Sequence, residues 1–312
     1  ITCDLAGDPI LVVRTNDGVL RGFFNVCRHH AAAVMTQPEG RTEILRCPYH
    51  GWTYNLDGAL ILTPEFAGVR NFDRSTNGLV PIKTAVWEGW VFANLQPGAP
   101  TLEDFVGLDL IGRIGQLGLA ELRWMERRTY KLDCNWKVFV DNYLDGGYHV
   151  PHIHRGLNSV LDATKYTIET GPRFCLQSSP ISAENAEAQV ATVRQGKRAL
   201  YYWIYPNFMI NWYEGLMDTN ILRPRGVSST EVIFDFYFAD TSELARERNL
   251  ASIAISERIQ AEDVAICESV QRGLACHAFT TGRLSVRREA GEHLFHRLLY
   301  TDLRSGLPRA DS

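Results

Sequence analysis

No stretch of this sequence approaches the ~18 consecutive apolar residues that a membrane-spanning helix requires, so a membrane role is not expected. Nor does one charge dominate. Against 36 acidic residues stand 32 Lys and Arg, a formal net charge of −4, which argues against a broad phosphate-binding surface and hence against nucleic acid as a partner. The first residues, ITCDLAGDPILVV, read as strand, turn, strand and not as a secretory signal. We expect the chain to start inside a domain already under way, with an N-terminal segment missing. Cysteines are few and odd in number, seven in 312 residues, which is no disulfide framework. A reducing, cytoplasmic setting is the expectation.

The remaining composition is ordinary: 45% hydrophobic and 22% charged, enough for two domains with cores of their own. Residues 1–97 consist of short alternating apolar runs broken by turn signals. Pro9 is expected to close the first run. Asn16-Asp17-Gly18 joins PILVVRT to VLRGFFNV as a hairpin, and Asn55-Leu56-Asp57-Gly58 joins GWTY to ALIL. Two more strands flank Glu88-Gly89. This predicts a small antiparallel β domain.

Two loops interrupt that domain. One carries Cys27 and His29, the other Cys47 and His50, so the pattern is C-x-H, seventeen intervening residues, then C-x-x-H. Two thiolates and two imidazoles form a soft four-ligand set that suits zinc or an iron–sulfur cluster. The string CPYHGW favours the second. The arrangement resembles the Rieske centre, in which two cysteines hold one iron of a [2Fe–2S] cluster and two histidines the other. That resemblance implies Cys27 and Cys47 on the inner iron, with His29 and His50 on the outer one. His30 has no spacing partner and reads as a loop histidine.

A linker, Gln96-Pro97-Gly98-Ala99-Pro100, opens the second domain, 98–312. Leu102 to Leu119 has helical periodicity. Arg123 to Tyr130 reads as a strand, and Asn135 to Tyr148 as a helix with Trp136, Phe139, Val140, Tyr143 and Leu144 on one buried stripe. The end of that helix is the richest stretch in the chain. DNYLDGGYHVPHIH, Asp141 to His154, packs three histidines and two acids into fourteen residues. Such a density of titratable groups is costly to bury unless a metal compensates it. Two neutral imidazoles, His149 and His154, with one carboxylate from elsewhere would form the ligand set of an oxygen-activating non-haem Fe(II) site. On an ideal helix Asp141, Asp145, His149 and His152 would roughly share a face. A bulge at Gly146-Gly147 is the expected device for re-aiming His149.

At this point the resemblance widens. NWKVFVDNYLDGGYHVPHIH is similar to the iron motif of Rieske non-haem iron oxygenase α-subunits, most like the choline monooxygenase branch and its bacterial relatives. With the cluster motif, YPNFMIN and QAEDVAICESVQRGL, it spans most of the chain. The resemblance implies an α+β architecture: a Rieske domain followed by a helix-grip catalytic domain, an antiparallel sheet over a C-terminal helix. It implies iron ligands His149, His154 and Asp263, with Glu262 as fallback, on a helix from Arg258 to Leu274. It implies that Asp145, or else Asp141, links the two metal centres, and that Asn142 lies near the iron. The implied cofactors are the cluster and a mononuclear Fe(II), with O₂ as co-substrate and NAD(P)H acting through a separate reductase or ferredoxin. A homotrimer, or stacked trimers, is the implied assembly.

The substrate is harder to read. Tyr201 to Tyr213 holds seven aromatic residues. Cross-strand packing accounts for many of them. The sharper reading makes Trp203, Tyr205, Phe208 and Trp212 the walls of a box that binds quaternary ammonium through cation–π attraction. The expected activity is therefore monooxygenation, as hydroxylation or N-demethylation, of a small choline- or betaine-type molecule. The alternatives are an aromatic or heteroaromatic ring hydroxylase and, outside catalysis, a Rieske electron carrier. The polar segment Ser182 to Asn185 is an expected lid.

Overall fold

The computed structural model describes residues 1–182, 188–194 (backbone only at 188 and 189) and 196–306. The chain divides into two units, Ile1–Phe105 and Val106–Ser312. The division falls after the linker and not at residue 97, because the linker belongs with the first unit. The ammonium of Lys83 donates to the carbonyl of Ala99, which is itself buried.

The first unit is all antiparallel. A five-stranded sheet has the order β1 (Thr2–Leu5), β2 (Asp8–Arg14), β3 (Leu20–Phe24), β7 (Pro81–Trp87), β8 (Trp90–Asn94). A three-stranded sheet runs β4 (Leu45–Arg46), β5 (Thr53–Tyr54), β6 (Leu60–Leu62). Pro9 does not close a strand. The reversal lies at Ala6 and Gly7, both at positive φ, and Pro9 sits near the start of β2, where proline is tolerated. Leu11, Phe23, Val34, Leu45, Trp52, Tyr54 and Leu79 make the core, and Cys27 and Cys47 are buried in it.

The predicted helix from Leu102 to Leu119 is broken at Gly107, φ +88°, into α1 (Leu102–Val106) and α2 (Leu108–Gly115). Beyond it lies one seven-stranded antiparallel sheet. Its order is β10 (Thr167–Thr170), β11 (Phe174–Pro180), β12 (Arg198–Ile204), β13 (Phe208–Tyr213), β14 (Leu216–Gly226), β15 (Ser229–Phe238), β9 (Arg123–Leu132). The remaining helices are α3 (Trp136–Leu144), α4 (Val150–Ile153), α5 (Arg155–Val160), α6 (Ala188–Val193), α7 (Glu243–Leu274) and α8 (Ala290–Gly306). Helix α3 packs on α7, α8 and the sheet, giving the expected helix-over-sheet arrangement.

Two helices differ from expectation for physical reasons. Helix α7 starts at Glu243, well before Arg258. Its buried residues are Ala245, Asn249, Ser252, Ile253, Ile255, Ser256, Gln260 and Cys267, half of them polar, so hydrophobic periodicity reveals it poorly. Helix α3 stops at Leu144, because Gly146 and Gly147 are left-handed at φ +68° and +66°. The pair ends the helix; it does not bulge it. Of the expected lid, Ala183, Glu184 and Asn185 lie outside the described residues, while the Ser182 amide donates to the Val160 carbonyl at 2.9 Å. No described helix is long and apolar enough to cross a membrane.

Candidate metal centres and substrate pocket

The two cysteine–histidine loops repeat one backbone design. The amide of Ala31 donates to the Cys27 carbonyl at 3.0 Å, and that of Gly51 to the Cys47 carbonyl at 3.1 Å. Both fourth residues are left-handed, Ala31 at φ +59° and Gly51 at φ +73°. Each loop thereby curls its cysteine inward and lifts its histidine. The rings of His29 and His50 meet edge-on with centroids 4.8 Å apart, and Trp52 stacks on His29 at 4.6 Å. The Tyr54 hydroxyl lies 3.3 Å from Cys27 Sγ and accepts the Arg28 amide at 3.0 Å.

These residues fit a Rieske cluster. His29 Nδ1 is buried with no hydrogen-bond partner, the state expected of a nitrogen reserved for a metal. Burial lowers the His29 pKa, with His30 and His50 adding to the effect, so the ring is held neutral and able to ligate. Burial raises the Cys47 thiol, and the neighbouring Cys27 adds to it, a cost that binding as a metal thiolate would remove. His30 is close to both rings, 4.0 Å from His29 and 5.3 Å from His50, and is exposed like His50; what sets it apart is that it stands outside the paired C-x-H and C-x-x-H spacings.

In the second unit the glycine pair and Pro151 set the other group. His149 and His154 flank α4 as its N-cap and C-cap residues, so a short turn brings both imidazoles to one spot. Helix α7 brings Asp263. His154 Nε2 is 3.0 Å and His149 Nε2 3.7 Å from the same oxygen, Asp263 Oδ1. Asn142 Nδ2 donates to that oxygen at 2.7 Å. The outer ring nitrogens are occupied by carboxylates. Asp145 holds His149 Nδ1 and accepts the His149 amide at 2.9 Å, and Glu262 lies 2.7 Å from His154 Nδ1. A carboxylate on each Nδ1 places the proton there and leaves Nε2 lone pairs pointing inward, the usual outer arrangement of metal histidines.

The donors therefore suit one iron held by His149, His154 and Asp263. Burial pulls the His154 pKa down, but hydrogen bonds and charge from Asp263 and Glu262 outweigh it, and the net shift is upward. A cation at the inward face would take over the role of that proton. Glu262, the fallback ligand, does not face inward; it braces His154. Asp141 turns away, 2.9 Å from His296 Nε2 and grouped with Glu292. His152 is exposed and joins neither group.

A cavity of about 110 Å³ opens on this group. Its walls include Tyr143, Tyr166, Tyr201, Tyr213, Asp218 and Arg194. The four aromatic residues expected there are elsewhere, and strand register explains why. Tyr201 pairs with Asn211, and Asn211 with Asp218, so 201, 211, 213 and 218 share one face of the sheet. Phe208 and Trp212 have the opposite parity, and Trp212 Nε1 donates to the Leu117 carbonyl at 3.1 Å. Trp203 has the right parity but is fully buried against Phe295 of α8. Tyr205 lies past the end of β12 and donates to Asp302 at 2.7 Å.

Asp218 is 3% exposed and has no cationic partner within 4 Å among the described residues. Burial raises its pKa, outweighing the hydrogen bonds that Asn211 and Asn220 donate to Oδ2 at 2.7 and 2.9 Å and the charge of Arg194 across the cavity. Its signal in the sequence is a charge interrupting an otherwise inward-packed strand, LMDTNIL, though nothing local says which cavity it faces.

The sequence matches the family described as Ring hydroxylating alpha subunit (catalytic domain) over residues 119–303, and the Rieske [2Fe-2S] domain over residues 1–73. The chain belongs to the Rieske non-haem iron oxygenases. A chloroplastic choline monooxygenase of Arabidopsis thaliana is 40% identical, covering 96% of this chain and 72% of the relative. The carnitine monooxygenase oxygenase subunit of Escherichia coli strain K12 is 30% identical over 96% of this chain and 82% of its own. Among solved structures, a quaternary ammonium Rieske monooxygenase in complex with L-carnitine superimposes with TM-score 0.81 at 28% identity, covering 96% of this chain and 83% of that one. A Rhodococcus naphthalene 1,2-dioxygenase shares the fold, with TM-score 0.82 at 21% identity over 99% and 86%. For a Rieske oxygenase, metal analysis should return about three irons per chain, two of them in the cluster. Two would indicate a bare electron carrier, and zinc would contradict both.

Proposed function

We propose that this oxygenase uses O₂ to hydroxylate or N-demethylate a small quaternary ammonium compound, of choline or betaine type. The observation that carries this is the cavity lining: four tyrosines and a buried carboxylate without an ion-pair partner among the described residues, directly over the His149–His154–Asp263 group. Tyrosine faces attract a trimethylammonium cation by roughly 0.5–2 kcal/mol per ring. Arg194 acts on Asp218 from across the cavity, and a bound cation in contact with the carboxylate would offset its burial further, which an uncharged aromatic ring cannot do. That lining favours the ammonium reading over a ring hydroxylase. The similarity to choline and carnitine monooxygenases supports it.

When bound, the cluster supplies single electrons and the iron supplies oxygen activation. The chain's own residues orient and shield. Gln177 donates to the Tyr143 carbonyl at 2.7 Å and accepts from Tyr166 Oη at 3.1 Å, which fixes two walls. The Tyr201 and Tyr213 hydroxyls bond each other at 2.7 Å, so their polar ends are occupied, and one face of the Tyr213 ring is covered by the Arg194 guanidinium, 4.9 Å from its centroid. Burial raises the pKa of Tyr143, Tyr166 and Tyr201 far above the ordinary range, and they stay neutral. Asp145, through His149, is our proposed link to the cluster, since its carboxylate braces the ring from outside.

In the overall reaction one oxygen atom enters the C–H bond. The other leaves as water with two electrons and two protons. If the oxidised carbon bears the nitrogen, the hydroxyl loses its proton, the C–N bond breaks, and an aldehyde and a tertiary amine leave; if it is an alcohol carbon, the aldehyde hydrate formed loses water. Electrons from NAD(P)H through a reductase or ferredoxin, and assembly as a homotrimer or stacked trimers, are parts of the same proposal and rest on the family. Oxygen uptake with NADH and an added reductase should rise with choline or a betaine and release an aldehyde. Turnover confined to aromatic acids would reject the reading.

A further inference from the structure

Arg194 follows α6 and is the only guanidinium or ammonium among the described residues lining the cavity. It is 3% exposed. Its two terminal nitrogens each donate to a neutral hydroxyl, Nη1 to Ser252 and Nη2 to Ser256, both at 2.6 Å. The guanidinium carbon lies 4.9 Å over the Tyr213 ring. Among the described residues no carboxylate lies within 4 Å, so Asp218 acts on the guanidinium only across the cavity, and Nε is buried with no partner. A buried cation whose direct contacts are all neutral is costly.

A second donor is stranded in the same cavity. Gln260 is 1% exposed, lies one turn beyond Ser256 on α7, and among the described residues its Nε2 also has no partner. Two donors without partners among the described residues, one of them charged, face a space whose carboxylates are Asp218 and, at the metal group, Asp263. Water could serve one of them, but it would not neutralise the guanidinium. A carboxylate would satisfy both, and Arg binds that group with charge-assisted bonds.

We propose that Arg194 and Gln260 anchor a substrate carboxylate, so that the preferred substrate is zwitterionic, a trimethylammonium group and a carboxylate on one short chain. This rests on the quaternary ammonium reading and narrows it. The cavity then carries one charge for each end of the molecule: Asp218 with the tyrosines for the cation, Arg194 for the anion. Helix α7 supplies Ser252, Ser256 and Gln260 at one end of this run and Asp263 at the other, so the anchor and the iron ligand share one rigid element.

The test is titration calorimetry of the metal-loaded enzyme with glycine betaine, γ-butyrobetaine, γ-butyrobetaine methyl ester, choline and benzoate. At least one betaine should bind about tenfold or more tighter than the ester and choline. Arg194→Gln should reduce the acid to the level of the ester. If that variant fails to fold, the comparison of acid with ester in the wild type decides alone, and Gln260→Leu should narrow the gap. Equal binding of acid, ester and choline, or a preference that survives Arg194→Gln, overturns the anchor and leaves Arg194 a strut onto α7, with the ammonium reading intact. Binding of benzoate with no trimethylammonium compound bound overturns both.

Discussion

Replacing Asp263 with alanine is expected to abolish product formation while leaving the Rieske cluster in place. Asp263 Oδ1 is the point on which His154 Nε2 and His149 Nε2 converge, and Asn142 holds it there. Among the described residues no other carboxylate reaches the inward face: Glu262 and Asp145 are both spent on the outer ring nitrogens. The variant should lose about one iron per chain and about three orders of magnitude or more of activity. Its reduced cluster should keep the EPR signal of the wild type. Glu262→Gln should behave differently. It keeps a group within reach of His154 but removes the charge, and loss of such a bracing group typically costs about ten- to a hundredfold in metal affinity or activity. If Glu262→Gln were dead and Asp263→Ala active, the assignment of the third ligand would be reversed.

The contrast between these two adjacent acids shows what the sequence can and cannot say. The cysteine–histidine loops were legible because each ligand pair lies within four residues and the spacing itself is the chemistry. His149 and His154 were legible for the same reason. Asp263 lies on a helix more than a hundred residues later, and no spacing rule ties it to them; only the likeness of the whole motif set pointed there. Nor could spacing divide roles between Glu262 and Asp263, because that depends on how α7 is rotated. Its buried stripe of Ser252, Ser256 and Gln260 looks like solvent-facing polarity until the cavity beneath it is seen.

The substrate walls failed for a different reason. Aromatic density marked the correct strands, β12 and β13, but which residues face inward depends on register and on what covers the face. Trp212 and Tyr213 are neighbours in sequence and point to opposite sides. Trp203 points to the same side as Tyr201 and is sealed by Phe295, from a helix about ninety residues away. A polar residue inside a strand, Asp218, was the better pointer, since a buried charge needs a reason that a buried aromatic does not.

The largest loss of stability is expected from Gly146→Ala. Gly146 is left-handed, and a Cβ there would lie 2.0 Å from the Arg288 carbonyl oxygen and 2.5 Å from Ile168 Cδ1. The first contact is with backbone and cannot be relieved by a rotamer change. Strain for a non-glycine residue in this conformation and overpacking together should cost about 2–5 kcal/mol. For a unit of this size that is a fall in melting temperature of roughly 5–15 °C. Iron should be lost as well, because this turn sets where α3 ends and hence where Asp145 and His149 meet. Gly273→Ala is the matched control. It lies near the end of α7, and a methyl group added there would meet nothing within 4 Å, so the change should be neutral or mildly stabilising. Scanning calorimetry with iron analysis on both variants reads the two effects together. A Gly146→Ala protein with wild-type melting and full iron would mean that the turn can shift without moving His149, and that the site is held by α7 alone.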